Sequence, residues 1–141
     1  MYDAVRHLAE RLETLFPDAS IYVVEEEKIV PLKDKAIVII PRSGRTEVVG
    51  IGAKYFAHTF TMTILIYVAR PTRYTKKEAA YKCLEQINEI YTKIEESLAK
   101  NPVLGTYIIT YVSGITDKTQ KHYGYCVGEA EITLKRYDLV I

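Results

Sequence analysis

His7, His58, His122, Cys83, Cys126 and the paired carboxylates Glu129 and Glu131 are the residues with which this chain could do chemistry. Their spacing argues against most of it. Each histidine falls in a different element, and none stands beside a second ligand at a spacing such as HExxH, so no metal is expected. His58 lies on the apolar face of a predicted strand, where a hydrogen-bonded core or interface histidine is the plain expectation. His122 sits near a turn with Lys118 and Lys121 and reads as solvated. The two cysteines have neither metal nor redox spacing; they read as small buried hydrophobes of a reducing compartment, with a bridge between them left open. Glu129 and Glu131 point to one face of a strand, as an acid–base pair would, but no second chemical group accompanies them. No serine fits GxSxG, and Gly50-Ile51-Gly52 lacks the following helix that a phosphate cradle requires. The acidic run Glu25-Glu26-Glu27 reads as a solvated loop, with a cation or partner contact as the sharper alternative. No catalytic centre and no cofactor are expected.

Positive charge is the other feature that could meet a partner. Arg42, Arg45 and Lys54 flank a glycine-rich connection, and Arg70, Arg73, Lys76 and Lys77 follow the next strand. Residues 42–54 read as an extended loop that offers charge to phosphates or to an acidic partner, against the alternative of ordinary solubilising charge. The net charge of +1 gives no global pull towards nucleic acid.

The elements that must position these residues follow from length and pattern. A chain of 141 residues with 48% hydrophobic and 26% charged content can bury one sizeable core without staples. The apolar run 64–69 is far too short to span a bilayer. The opening segment is charged and amphipathic, unlike a signal peptide, so cytoplasmic synthesis is expected. A first helix is predicted over residues 3–16, with Val5, Leu8, Leu12, Leu15 and Phe16 on one stripe and Pro17 as its stop. Short strands are expected at 20–24 and 36–40, a polar loop at 25–35, and a turn at Pro41-Arg42-Ser43-Gly44-Arg45. A further strand at 46–51 is less clearly marked. Residues 54–68 alternate: Phe56, His58, Phe60, Met62, Ile64, Ile66 and Val68 on one face, and Tyr55, Thr59, Thr61, Thr63, Leu65 and Tyr67 on the other. A strand that long is expected to bend or to project.

Thr75-Lys76-Lys77-Glu78 matches a capping box that opens a second helix, with Ala80, Cys83, Leu84, Ile87, Ile90, Tyr91, Ile94 and Leu98 on its stripe. Asn101 and Pro102 close it. Strands are predicted at 105–112 and 122–140. In the latter Gly124, Cys126, Gly128 and Ala130 make a face of small residues that invites close approach of a helix, and Tyr125, Val127, Glu129 and Glu131 make the opposite face. The fold class is α+β, in one domain: two amphipathic helices packed on one face of a mainly antiparallel β-sheet, in the order α-β-β-β-α-β-β. Twelve tyrosines, three phenylalanines and no tryptophan fit either strand propensity or an interface.

This order resembles the tail terminator (tail-completion or neck) proteins of long-tailed double-stranded DNA phages and related viruses. The stretch IYVVEEEKIVPLKDKAIVII matches their strand, loop and proline before an apolar strand. PRSGRTEVVGIGAKYF matches a hairpin with a long tip, HTFTMTILIYVA the long alternating strand, and CVGEAEITLKRYDLVI the terminal strand. No short motif is diagnostic. The resemblance implies a structural virion protein that forms a hexameric ring, caps the tail tube, stops its polymerisation and joins it to the head connector. Its implied partners are itself, the major tail tube protein and the connector, with DNA passing through the lumen without sequence-specific contact and no membrane. Long strand edges need protection or pairing, and head-to-tail pairing of copies supplies both. On that expectation Tyr55, Thr59, Thr61 and Thr63, or Tyr125, Val127, Glu129 and Glu131, form the subunit contact, and Arg42, Arg45 and Lys54 face the lumen or the tube. The competing class is a stand-alone small-molecule-binding module or small enzyme of α+β sandwich type, built around His58, Glu129 and Glu131. A nucleic-acid-binding module using the Arg42/Arg45 segment is a third.

Overall fold

A computed structural model of the chain describes residues 2–24, 34–50, 54–70, 76–118 and 124–139. The acidic run 25–27, the capping threonine Thr75, Arg73 and His122 lie outside these residues. Helix α1 (Tyr2–Leu15) is followed by β1 (Ser20–Val23), β2 (Lys35–Val49) and β3 (Tyr55–Ala69). Helix α2 (Lys76–Lys100) then leads to β4 (Val103–Leu104), β5 (Tyr107–Val112), β6 (Thr116–Asp117) and β7 (Tyr125–Leu139). Among the described residues seven strands form one sheet in the order β1-β2-β3-β7-β5-β4, with β6 paired to β7 beside β5. The α+β class and the two helices match expectation, but the sheet is mixed. β1 runs parallel to β2, with Ser20 opposite Ala36 and Val23 opposite Ile39, while the other pairings are antiparallel.

Both helices cover one face. Ala4, Val5, Leu8 and Leu12 of α1 and Cys83, Ile87, Ile90, Tyr91, Ile94 and Leu98 of α2 bury against Ile37, Ile39, Phe60, Met62, Ile64 and Ile66, and against Cys126, Ala130, Ile132 and Leu134 of β7. Fully burying each large apolar side chain is worth about 1.5–3 kcal/mol, so this layer carries most of the stability. The α2 stripe is rotated slightly from its predicted position. Ala79 is buried instead of Ala80, and Leu84 stays 53% exposed.

Gly128 explains why α2 can lie so close. A Cβ there would stand 2.5 Å from Ile87 Cγ2 and 2.9 Å from Ile115 Cδ1. Cys83 and Cys126 are joined in a disulfide at the same crossing, with 5.4 Å between their Cα atoms. Of the two states the sequence leaves open, the bridged one is observed. Further along α2, the Tyr91 hydroxyl donates to the Ser113 carbonyl. On the opposite face Ala36, Val38, Ile40, Leu65, Tyr67 and Val127 form a second buried cluster, with Tyr22 and Tyr125 at its margin.

The largest departure from expectation concerns residues 41–49. The predicted turn at Pro41 to Arg45 is instead strand, so β2 runs unbroken from Lys35 to Val49. Its register against β3 slips between Pro41 (opposite Met62) and Gly44 (opposite Phe60), which marks a β-bulge with one extra residue in β2. Proline is tolerated here for a physical reason. The Ile39 carbonyl points to the β1 side, where it accepts from the Val24 amide at 3.0 Å. Two residues on, the Pro41 nitrogen faces the same side past the last paired residue of β1, so no ladder bond to β1 is lost.

Two substitutions test this packing. Gly128→Val suits a strand by propensity, yet its side chain has no space under Ile87. It is expected to cost about 1–3 kcal/mol in urea unfolding. Tyr91→Phe should cost about 0.5–1.5 kcal/mol at neutral pH through the lost hydrogen bond. Burial first, and then the Glu95 carboxylate, raise the Tyr91 phenol above its ordinary 10.0. The folded state therefore favours the neutral ring. Its contribution is full below about pH 10 and is lost as pH rises through the higher folded value. Alkaline unfolding curves of Tyr91→Phe should lack that component.

Candidate interaction surface

Past the bulge, three strands continue where the helices no longer cover them. On the helix face the buried run of β3 ends at Phe60. Beyond it residues 45–49 of β2, 55–59 of β3 and 135–139 of β7 form a three-stranded arm. Five residues of strand reach about 17 Å. The registers that build it are Val48 opposite Phe56, Thr46 opposite His58, and His58 opposite Arg136, with Tyr55 opposite Leu139. The bulge decides which side chains share a face. Before it the odd-numbered residues of β2 (Ile37, Ile39) join the helix face; after it the even-numbered ones (Thr46, Val48) do.

The helix-side face of the arm carries a polar row spanning all three strands. Thr46 Oγ1 and His58 Nδ1 are 2.9 Å apart. His58 Nε2 lies 2.9 Å from Asp138 Oδ2, and Arg136 Nη2 lies 3.1 Å from the same carboxylate oxygen. The Asp138 carboxylate can only accept, so a bonded Nε2 carries its proton and Nδ1 of a neutral ring accepts from the Thr46 hydroxyl. Arg136 in turn stacks over Tyr107 at 4.9 Å and donates to Thr106 Oγ1 at 3.3 Å, which ties the arm to β5. A hydroxyl, an imidazole and a carboxylate in sequence have the residue types of a nucleophilic triad. They lie on an open sheet face, however, and the carboxylate is shared with an arginine. The row acts as cross-strand clamping.

Around this row the arm exposes apolar surface on both faces. Val48 is 58% and Phe56 36% exposed on one side, and Tyr137 is 60% and Leu139 59% exposed on the other, beside Tyr55. Among the described residues, β2 beyond Ile40 has a strand partner on the β3 side alone, and β7 beyond Lys135 is likewise paired only to β3. The arm thus has two open edges. It carries the cations Arg45, Lys54, Lys135 and Arg136 against the carboxylates Glu47 and Asp138.

The residues nominated from sequence divide. Tyr55 is exposed at the arm's end, as the contact reading requires. Thr59 and Thr61 lie half-buried on the outer face of β3, Thr61 with its hydroxyl 3.4 Å from Ser43 Oγ. Thr63 cannot serve as a contact: it is 2% exposed and accepts from Arg42 Nε at 3.0 Å. Val127 is likewise fully buried, and Tyr125 packs edge-on against Tyr67, with ring centres 6.2 Å apart. Glu129 pairs with Lys118 at 3.4 Å, and Glu131 is exposed. The extended basic loop is also corrected. Arg42 and Arg45 belong to β2, where Arg45 Nε meets Glu47 Oε1 at 3.0 Å; Lys54 alone of the three lies outside a strand. Arg42, two residues past Ile40 and so on the same face as Thr63, is held at the bulge by its bond to that hydroxyl.

His58 faces the helix side of the sheet, whereas Glu129 and Glu131 face the other, so these three do not converge. The two glutamates instead line a polar groove of about 310 Å³ with Ser113, Thr116 and Lys118. Among the described residues no three His, Cys, Asp or Glu side chains are grouped to hold a metal, and no helix is long and apolar enough to cross a membrane. No protein-family model matches the chain, and no curated protein matches it.

The polar row gives the arm its own stability, separable from that of the core. His58→Phe keeps a ring beside Phe56 and removes both hydrogen bonds. It should change global unfolding by no more than about 1 kcal/mol, since both partners can be hydrated. Hydrogen exchange should accelerate selectively in residues 45–49, 55–59 and 135–139. Uniform acceleration across the sheet would contradict this.

Proposed function

We propose that this chain is a structural protein whose activity is assembly into a closed ring of identical copies. The observation that supports this is the arm: three strands that, among the described residues, have two open edges and expose apolar side chains on both faces. An open strand edge is a template for pairing with another chain, and Val48, Phe56, Tyr137 and Leu139 exceed what a solvated ribbon needs. Natural monomers blunt such edges, whereas assemblies use them.

The more specific reading rests on the order of elements shared with tail terminator proteins. In it the ring is hexameric, caps the tail tube of a long-tailed virus, stops its polymerisation and joins it to the head connector. The arm agrees with the long hairpin that this resemblance requires, although its basic residues sit along a strand and not on a loop. The absence of convergence between His58 and the Glu129/Glu131 pair weighs against the small-enzyme alternative. The Cys83–Cys126 bridge suits a particle that is released into an oxidising medium after synthesis inside a cell.

Mass photometry at micromolar concentration should show a discrete multiple of the 16.1 kDa chain, six under the specific reading. Addition to growing tail tubes should arrest their elongation. Tyr137→Asp, which alters only an exposed arm residue, should raise the assembly midpoint at least tenfold without changing the melting temperature. A strict monomer that leaves tube growth unaffected would end both levels of the proposal.

A further inference from the structure

A ring needs a receiving surface for the arm, and on the reading just given we infer that this receptor is the groove between α2 and the β6 segment of the neighbouring copy. Among the described residues this groove, of about 400 Å³, is lined by Cys83, Leu84, Ile87, Ile115, Glu85 and Asp117. Its floor is the apolar crossing above Gly128, where Ile87 and Ile115 meet. Leu84, on the exposed side of α2, stands at its lip with Tyr81 one turn earlier, 60% exposed. Neither side chain belongs to the buried stripe of α2, so the helix carries more apolar surface here than its own sheet uses.

Three observations match the groove to the arm. The first is chemistry: the arm's end presents Tyr55, Tyr137 and Leu139, which suit an apolar cleft of this size. The second is charge. The rim holds the carboxylates of Glu85 and Asp117, with Glu85 only 3.7 Å from Lys82 in a weak exposed pair. The arm carries an excess of cations, with Lys54 exposed next to Tyr55. Opposite fields of this kind favour encounter in one orientation.

The third is position. β6 pairs with β7 at Gly128 and Glu129, near the start of that strand, while Leu139 ends it. Some ten residues of strand put the two surfaces roughly 35 Å apart. One molecule cannot fill its own groove. The contact is therefore heterologous, and copies joined this way either close into a ring or continue as a filament.

Two surface variants of the full chain test the assignment by complementation. Leu84→Asp spoils the groove and leaves the arm; Leu139→Asp spoils the arm and leaves the groove. Both residues are exposed, so each variant should keep the wild-type melting temperature. Each alone should sediment as a monomer at concentrations where the wild type assembles. Mixed in equal amounts, they should form a one-to-one dimer that grows no further, because one sound arm meets one sound groove. If the wild type assembles and both variants assemble equally well, the groove is not the receptor, and the ring reading survives. Variants that are monomeric alone and stay monomeric when mixed would overturn the heterologous contact. A wild type that never assembles would overturn this inference together with the reading on which it rests.

Discussion

The ladder between β3 and β7 is the constraint around which the molecule is arranged. It runs without a register slip from Tyr55 opposite Leu139 to Ala69 opposite Tyr125. Every other strand is placed by it, directly or through one neighbour. Two fifteen-residue strands locked in one register are longer than the helical layer can cover. Near Cys126 and Gly128 the ladder lies under α2 and is bolted to it by a disulfide. Near Tyr55 and Leu139 it has no helix above it. The exposed arm and the tight helix crossing are thus opposite ends of one element.

The bulge in β2 reconciles two demands on a single strand. Its first half must place Ile37 and Ile39 beneath the helices and Val38 and Ile40 in the second cluster. Its second half must bring Thr46 beside His58. Strict alternation would put Thr46 on the wrong face, because a one-residue offset exchanges the two sides of a strand. The extra residue between Pro41 and Gly44 changes the parity once, and Arg42 and Ser43 hold the irregular segment to Thr63 and Thr61.

Much of this is legible in the sequence where one periodicity dominates. The alternation from Tyr55 to Val68 gives the right faces because each face meets a different environment along its whole length. Gly128 predicts a close helix because a missing Cβ on a sheet face has few other uses. The failures have physical causes as well. Pro41, Ser43 and Gly44 are turn residues by composition, yet a bulged strand accepts them too, because the Pro41 position needs no N–H bond to β1. Arg42 and Arg45, expected in a loop, therefore lie in β2. β1 is parallel to β2, and nothing within four residues can record the direction of a partner. Thr63 and Val127 read as contact residues because they lie on the less apolar face, but that face has a core of its own around Leu65 and Tyr67. The polar row of the arm was beyond reach for a different reason. Thr46, His58, Arg136 and Asp138 come from three strands: the β3–β7 register brings the last three together, and the bulge in β2 adds Thr46.

The arm's composition is what separates a functional projection from an overlong hairpin. An uncovered ribbon kept only for solubility would replace Val48, Phe56, Tyr137 and Leu139 with charged or polar residues, at little cost to pairing. Here the arm keeps a clamped polar row on one face, apolar side chains around it, and cations near its end. The row ties the strands to one another without any helix, so in the proposed assembly an arm shaped in advance loses less conformational freedom on docking. Among the described residues the arm combines stiffness without a helix above it with apolar surface that no other element covers. In the proposed assembly that covering layer comes from another molecule.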